Sequence, residues 1–296
     1  MVRGVVRLVG VGMVAALLVA GCEGSGDTTP QTERVDISVD PNAATRFAKS
    51  SRMYTLATSG TVRIGVKFDQ PGLGQKPTGE DIPVGFDIDI ARMLAAKLGI
   101  PTEKVQWIET ESEVREKYLR KGMVDFVVAS YSLSDERRKV VGQAGPYYIT
   151  GQRLLVLKGS HVKDVDDIRS AKVCAVKGSS ALQNVKDKGA RVVPVASTRD
   201  CLDRVLDGTV TAMTGDGGAL LGYAAENPRK LAVVGEPMTR ERYGVGYPKD
   251  HPELCQFILD TLMNAEQQGL WAKSFRATLG KSGAKTPTPP EMDECP

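Results

Sequence analysis

Apolar positions between Thr61 and Gly280 fall into two alternating rhythms. Short runs rich in β-branched residues predict strands at TVRIGVKF (61–68), KVQWIE (104–109), VDFVVAS (124–130), QRLLVLK (152–158), KVCAV (172–176), ARVVPV (190–195), VTAMTG (210–215) and RYGVGYPKD (242–250). Between them lie segments with helical spacing. In GFDIDIARMLAAKLG (85–99), Phe86, Ile90, Met93, Leu94 and Leu98 share one face, and Gly99 is the stop. Further helices are predicted over 111–122, 180–189, 198–208, 218–227, 252–269 and 271–280, and a short one within 41–60 ends at Gly60. Strand and helix alternate twice, which predicts two α/β units, each a parallel sheet covered by helices. The chain passes between them near Tyr147–Gln152 and again near Arg242–Gly246. Lobe 1 is expected from 41–148 plus 245–296 and lobe 2 from 149–244, joined by a two-segment hinge. No repeat of 20–50 residues is visible, so a solenoid is excluded. Ligands of open α/β sheets sit off the carboxyl ends of the strands, so the cleft between two such lobes is the expected site.

The N-terminus changes the picture of where this body works. Arg3 and Arg7 precede an apolar run, Leu8 to Ala20, of signal-sequence length and too short to span a bilayer. It ends in Leu18-Val19-Ala20-Gly21-Cys22, which resembles the bacterial lipobox. That resemblance implies a signal peptide over 1–21 and lipidation of Cys22. The polar stretch EGSGDTTPQTE (23–33), part of a tether over 22–40, would hold the body off the membrane. The formal charge of +3 falls to +1 once Arg3 and Arg7 are removed, so the mature chain lacks the basic balance of a nucleic-acid-binding protein.

Export makes cysteine arithmetic informative. Of five cysteines, Cys22 is expected to carry lipid, leaving Cys174, Cys201, Cys255 and Cys295. An even remainder in an exported chain predicts two disulfides with three possible connectivities. Pairing nearest neighbours gives Cys174–Cys201 and Cys255–Cys295, the second pinning the tail KTPTPPEMDECP (285–296) to the body. No CxxC spacing occurs and the histidines are His161 and His251 alone, so no metal site or other cofactor is expected.

Catalytic signatures fail one by one. LGKSG (279–283) ends like a phosphate loop, but the required first glycine falls at Phe275. GLGQKPTG (72–79) lacks the dinucleotide-binding spacing. His161 and His251 lie in polar loop contexts without a nucleophile elbow nearby. An enzyme is therefore not expected. What remains are polar residues at strand ends: Lys67, Arg115, Ser130 and Ser132 with Arg137 just beyond, Gly178-Ser179-Ser180, and Asp216. Each has a plainer reading: Arg115 as a surface ion pair with Glu111, Arg137 on a solvated face, Asp216 as a helix cap. Together they suit a zwitterion, for a carboxylate needs a guanidinium and an ammonium needs a carboxylate.

The segments GFDIDIA, VDFVVASYSLSDERRKVV, GPYYITGQRLLV, VKGSS and TGDGGALLGY, in this order, resemble the extracytoplasmic amino-acid-binding proteins of ABC importers, with the type II periplasmic-binding-protein fold. KFDQPGLG, GPYYITGQRLLV and TPTPP are similar in particular to glutamate-binding lipoproteins of Gram-positive bacteria. The resemblance implies that Arg137 clamps the ligand's α-carboxylate and that Ser130 and Ser132 supply hydroxyl and amide contacts. It also implies that Asp216 takes the α-ammonium and that Ser179 and Ser180 close on the carboxylate from the second lobe. Lys67 and Arg115 match cations of members that bind acidic side chains. The aromatic residue that many members place after the first strand is missing here, so Phe68 or the loop backbone plays that part, or nothing does. The implied protein is a monomeric, membrane-anchored receptor for glutamate or aspartate that hands its ligand to an ABC permease. A glutamine or polar amino-acid receptor is the alternative, as is a sensor that reports to a signalling partner.

Overall fold

The computed structural model describes residues 1, 2, 4, 5 and 34–296. Cys22 and most of the expected signal segment and tether lie outside the described residues. The features below belong to the compact unit Glu33–Pro296. In chain order it comprises α1 (Arg52–Ser59), β1 (Val62–Val66), β2 (Asp69–Gln70), β3 (Gly74–Gln75), α2 (Phe86–Lys97), β4 (Val105–Glu109), α3 (Arg115–Arg120), β5 (Phe126–Val127) and α4 (Asp135–Arg138). There follow β6 (Gly142–Thr150), β7 (Gln152–Leu157), β8 (Lys172–Val176), α5 (Ser180–Asp187), β9 (Arg191–Val195), α6 (Thr198–Leu206), β10 (Ala212–Asp216) and α7 (Gly217–Glu226). The chain closes with β11 (Leu231–Val234), β12 (Glu241–Tyr247), α8 (Glu253–Gln267) and α9 (Leu270–Ala277).

Two five-stranded sheets organise these elements, in the orders β4-β1-β5-β12-β6 and β11-β7-β10-β8-β9. Both are mixed, where strand–helix alternation predicts parallel sheets. The parallel part is as expected: β1 pairs with β4 and β5, and β8 with β9 and β10. The antiparallel strands are those next to the lobe crossings, β12 in the first sheet and β7 in the second. A strand that arrives from the other lobe enters its sheet at the cleft end and so runs against its neighbours. The first crossing is Gly151, between β6 and β7. The second precedes Arg242–Gly246: β12 is paired with β6 from Glu241 onward, so the chain has crossed within 235–240.

The first lobe's core forms around α2. Phe86 meets Tyr148, Trp271 and Phe275 edge-on at centroid distances of 5.9, 5.4 and 5.5 Å. The face expected from the sequence is buried, but so are Ile88, Ala91 and Ala95. Helix α2 packs on β1, α8 and α9, so it is not a one-sided surface helix. Both nearest-neighbour disulfides are present. Cys174–Cys201 ties β8 to α6, and Cys255–Cys295 ties α8 to the tail, with Cα separations of 5.4 and 5.9 Å. Near that second bond, Asp293 pairs with both Arg138 and Arg242, and its N–H donates to the Gly145 carbonyl at 2.7 Å.

Candidate functional site

Past β5 the backbone turns at Ser130, which takes φ +48°, a left-handed conformation that costs a serine on the order of 1 kcal/mol. Asp87, in the first turn of α2, holds this turn: its Oδ2 accepts from the Ser130 N–H at 2.7 Å, and its Oδ1 accepts from the Tyr147 hydroxyl at 2.8 Å. Burial pushes the Asp87 carboxyl up to about 6, against the pull of these hydrogen bonds and of Arg115. Ser134 then caps α4 by accepting from the Arg137 N–H. The Arg137 side chain leaves that helix end and folds back over the cleft. Its Nη1 donates to the Ser132 carbonyl at 2.7 Å and its Nη2 to the Gly178 carbonyl of the second lobe at 3.2 Å, while Nε pairs with Glu116.

Arg115 is buried, not the exposed partner of Glu111 that helical spacing allows. Its Nε donates to the Ser112 carbonyl at 3.3 Å and its Nη1 to the Ala129 carbonyl at 3.1 Å. Both guanidiniums lie by one ring, Tyr131, with Cζ at 4.4 Å from its centroid for Arg115 and 5.0 Å for Arg137. Burial, and then the Arg137 charge, bring Arg115 down to about 10, so it stays cationic at neutral pH.

From the second lobe, the β8–α5 turn reaches across. Gly178 has φ +73°, and a Cβ there would stand 2.7 Å from the Glu113 Cα, so only glycine allows this approach. Ser179 caps α5 by accepting from the Leu182 N–H and donates its own hydroxyl to the Val176 carbonyl at 2.7 Å. Asp216 ends β10 at the head of α7 but makes no capping bond with its side chain. Its Oδ2 accepts from the Tyr243 hydroxyl at 2.7 Å. Its Oδ1 is out of solvent and has no partner among the described residues. Burial, and next the charge of Glu241, push the Asp216 carboxyl up to about 7.

Arg115, Ser130, Ser132, Arg137, Ser179, Ser180 and Asp216 thus line one cavity of about 50 Å³. Lys67 is not in that lining. It is buried beside β1 and donates its ammonium to Glu111, taking the carboxylate that the sequence offered to Arg115. Phe68 is also outside; Gln70 lines the cavity in its place, accepting from the Ser130 hydroxyl and donating to the Thr198 hydroxyl at 3.3 Å. Ser112, Thr198, Thr214 and Tyr243 complete the polar lining. Gln70 could have been suspected only as one of the polar residues just past the first strand, with Lys67 and Asp69 nearer its end. Thr198 carries no such signal, because TRDCLD reads simply as a helix start. Beside the cavity, Asp69 accepts through Oδ2 from the Thr198 and Arg199 N–H groups at the head of α6, at 2.7 and 3.2 Å. No group of three or more His, Cys, Asp or Glu residues is placed to hold a metal among the described residues.

This arrangement has a pH consequence. An ammonium gains most from Asp216 when the carboxylate is ionised, which in this closed geometry happens above about pH 7. With the folded value raised, ionisation of the empty site costs stability as pH rises toward 7, and a bound ammonium offsets that cost. Affinity for a ligand that carries an ammonium to Asp216 is therefore expected to fall by up to about tenfold per pH unit below 7. Calorimetry from pH 5 to 8 checks this; a flat profile would take Asp216 out of the ammonium's reach.

Comparison with known proteins gives one family model, described as bacterial extracellular solute-binding proteins, family 3, which matches residues 62–281. The glutamate-binding protein GluB of Corynebacterium efficiens is 33% identical over 236 residues, covering 75% of this chain and 80% of that protein. The ABC transporter glutamine-binding protein GlnH of Bacillus subtilis is 28% identical over 278 residues, covering 93% and 97%. Among solved structures, a cysteine-binding protein from Campylobacter jejuni superposes with a TM-score of 0.74 at 21% identity, over 78% of this chain and 94% of that one. That likeness shows the fold, two α/β lobes of the type II periplasmic-binding-protein kind.

Proposed function

This chain belongs to the bacterial extracellular solute-binding proteins of family 3, and from that premise we propose that its cleft captures an acidic amino acid, glutamate first and aspartate second. It is an extracytoplasmic binding protein of transport, not an enzyme. One relative is an ABC transporter glutamine-binding protein, and a permease of that kind is the partner to which this chain would deliver its ligand. Among the described residues no helix is long and apolar enough to cross a membrane; the proposed attachment is the lipid on Cys22, with 22–40 as tether and a monomeric body.

One observation carries the acidic reading: the lining sets two guanidiniums, Arg115 and Arg137, against one carboxylate, Asp216. A ligand with two carboxylates and one ammonium complements the charges of that lining, with Glu116 paired to Arg137 from outside it. In this reading Arg137 takes the α-carboxylate, Asp216 the α-ammonium, and Arg115 attracts the side-chain carboxylate. Ser130, Ser132, Ser179 and Ser180 fill the remaining contacts, and Lys67, paired with Glu111, acts from behind the lining. Lobe closure is then a population shift, driven by contacts that ligand makes with both lobes together. A neutral amide ligand is the second reading, favoured by Lys67 being already paired with Glu111.

Calorimetry with glutamate, aspartate and glutamine separates the two. Glutamate is expected to bind at least about tenfold more tightly than glutamine, a difference of about 1.4 kcal/mol. Equal affinities would overturn the acidic assignment and leave the amino-acid receptor standing.

A further inference from the structure

Glu241, the first residue of β12, carries a buried carboxylate with no cation within ion-pair distance among the described residues. Its partners are three hydroxyls. Oε2 accepts from Ser132 of the first lobe at 2.6 Å and from Ser180 of the second at 3.0 Å, and Oε1 accepts from Thr239 at 2.8 Å. It therefore touches both lobes where the chain crosses between them, yet is outside the cavity lining.

A serine hydroxyl has one proton and two lone pairs, and an ionised carboxylate only accepts. The protons of Ser132 and Ser180 are thus turned to Glu241, and both hydroxyls can offer only lone pairs to the cleft. The Ser130 proton is likewise engaged by Gln70, and that of Ser179 by the Val176 carbonyl. Four serines that could have donated to a ligand carboxylate are set as acceptors. Lone pairs suit an ammonium; opposite a carboxylate they repel. The unpartnered Oδ1 of Asp216 on the same lining makes the same demand.

We propose that Glu241 is a positioning residue that selects for the ligand's α-ammonium by fixing the hydroxyl polarity of Ser132 and Ser180. The inference rests on the cleft being the amino-acid site and assigns the discrimination between an amino acid and its des-amino counterpart. Removing the ammonium from the ligand leaves the serine lone pairs and Asp216 facing nothing that donates, and unmet buried acceptors are what make a site reject a near-isostere.

The test compares glutamate with glutarate, the same dicarboxylate without the ammonium, by calorimetry at pH 8 on wild type and Glu241→Leu. The leucine side chain has similar bulk and no acceptor, so the Ser132 and Ser180 protons are released to turn to the cleft. Glutamate affinity is expected to fall at least about tenfold while glutarate affinity holds or rises, so their ratio narrows by about tenfold or more. Equal losses for both ligands would overturn the proposal and make Glu241 a structural bolt. Should Glu241→Leu fail to fold, Ser180→Ala, which removes one lone-pair acceptor at a helix start, is read by the same ratio and the same criterion. If wild type prefers glutamine, the acidic reading fails separately, and glutamine against its des-amino counterpart tests Glu241 unchanged.

Discussion

Replacing Arg137 with alanine is expected to weaken amino-acid binding by about 2–5 kcal/mol, a loss from about 30-fold to several thousandfold. The size comes from burial. Once the lobes meet, a ligand carboxylate in this cavity is cut off from water, and a carboxylate left without its guanidinium keeps the full cost of desolvation. Arg115 cannot substitute, because carbonyls of Ser112, Ala129, Ser130 and Gly178 hold its guanidinium in place. Arg137→Lys should restore only part of the loss, since an ammonium lacks the planar fork. The ligand-free protein should melt near the wild-type temperature, for Arg137 surrenders two carbonyl contacts, its pair with Glu116 and its place by the Tyr131 ring, each of them modest. Calorimetry on the two variants checks both statements, and an unchanged dissociation constant for Arg137→Ala would remove this residue from the site.

The other large effect is on stability. Replacing both Cys255 and Cys295 with alanine opens a loop that now joins residues 40 apart. Chain entropy assigns about 4 kcal/mol to a closure of that length, and measured losses are commonly about 2–4 kcal/mol. The loss should lie toward the upper end here. The freed tail also carries Asp293, which links Arg138 at the end of α4 to Arg242 on β12. Guanidinium unfolding of the double variant is expected to show a lower midpoint with a similar slope. An unshifted midpoint would mean that the tail braces nothing.

The parts of this molecule legible in the sequence are those governed by local rules. Strand and helix rhythm marks the two lobes, and cysteine order suggests the pairing found. The run from Ser130 to Arg137 announces a cluster because serines and a cation interrupt an apolar strand end. What escapes is set by contacts between segments far apart in the chain. Lys67 and Glu111 are 44 residues apart, and nothing near either shows that β1 buries the lysine against that acid. Asp87 reads as an ordinary acid in a helix's first turn; only the fold turns it inward to hold Ser130. Glu241 lies in RERYG, where a charged residue opening a strand suggests solvent, yet three hydroxyls from three segments converge on it.

Asp69 has a consequence for sensitivity. Its carboxylate satisfies two of the amides at the head of α6 from the opposite lobe, favoured there by the helix dipole as well as by hydrogen bonding. Opening the cleft hands those amides to water, and closing restores the bond whether or not an amino acid is inside. Part of the drive toward the shut form is therefore built into the chain. The apparent dissociation constant of such a receptor is its intrinsic value divided by the fraction already competent to bind. In that case residue 69 is a set-point: stronger latching raises apparent affinity and moves the range over which occupancy reports supply to lower concentrations, and weaker latching does the reverse, with no change to any group that touches the ligand.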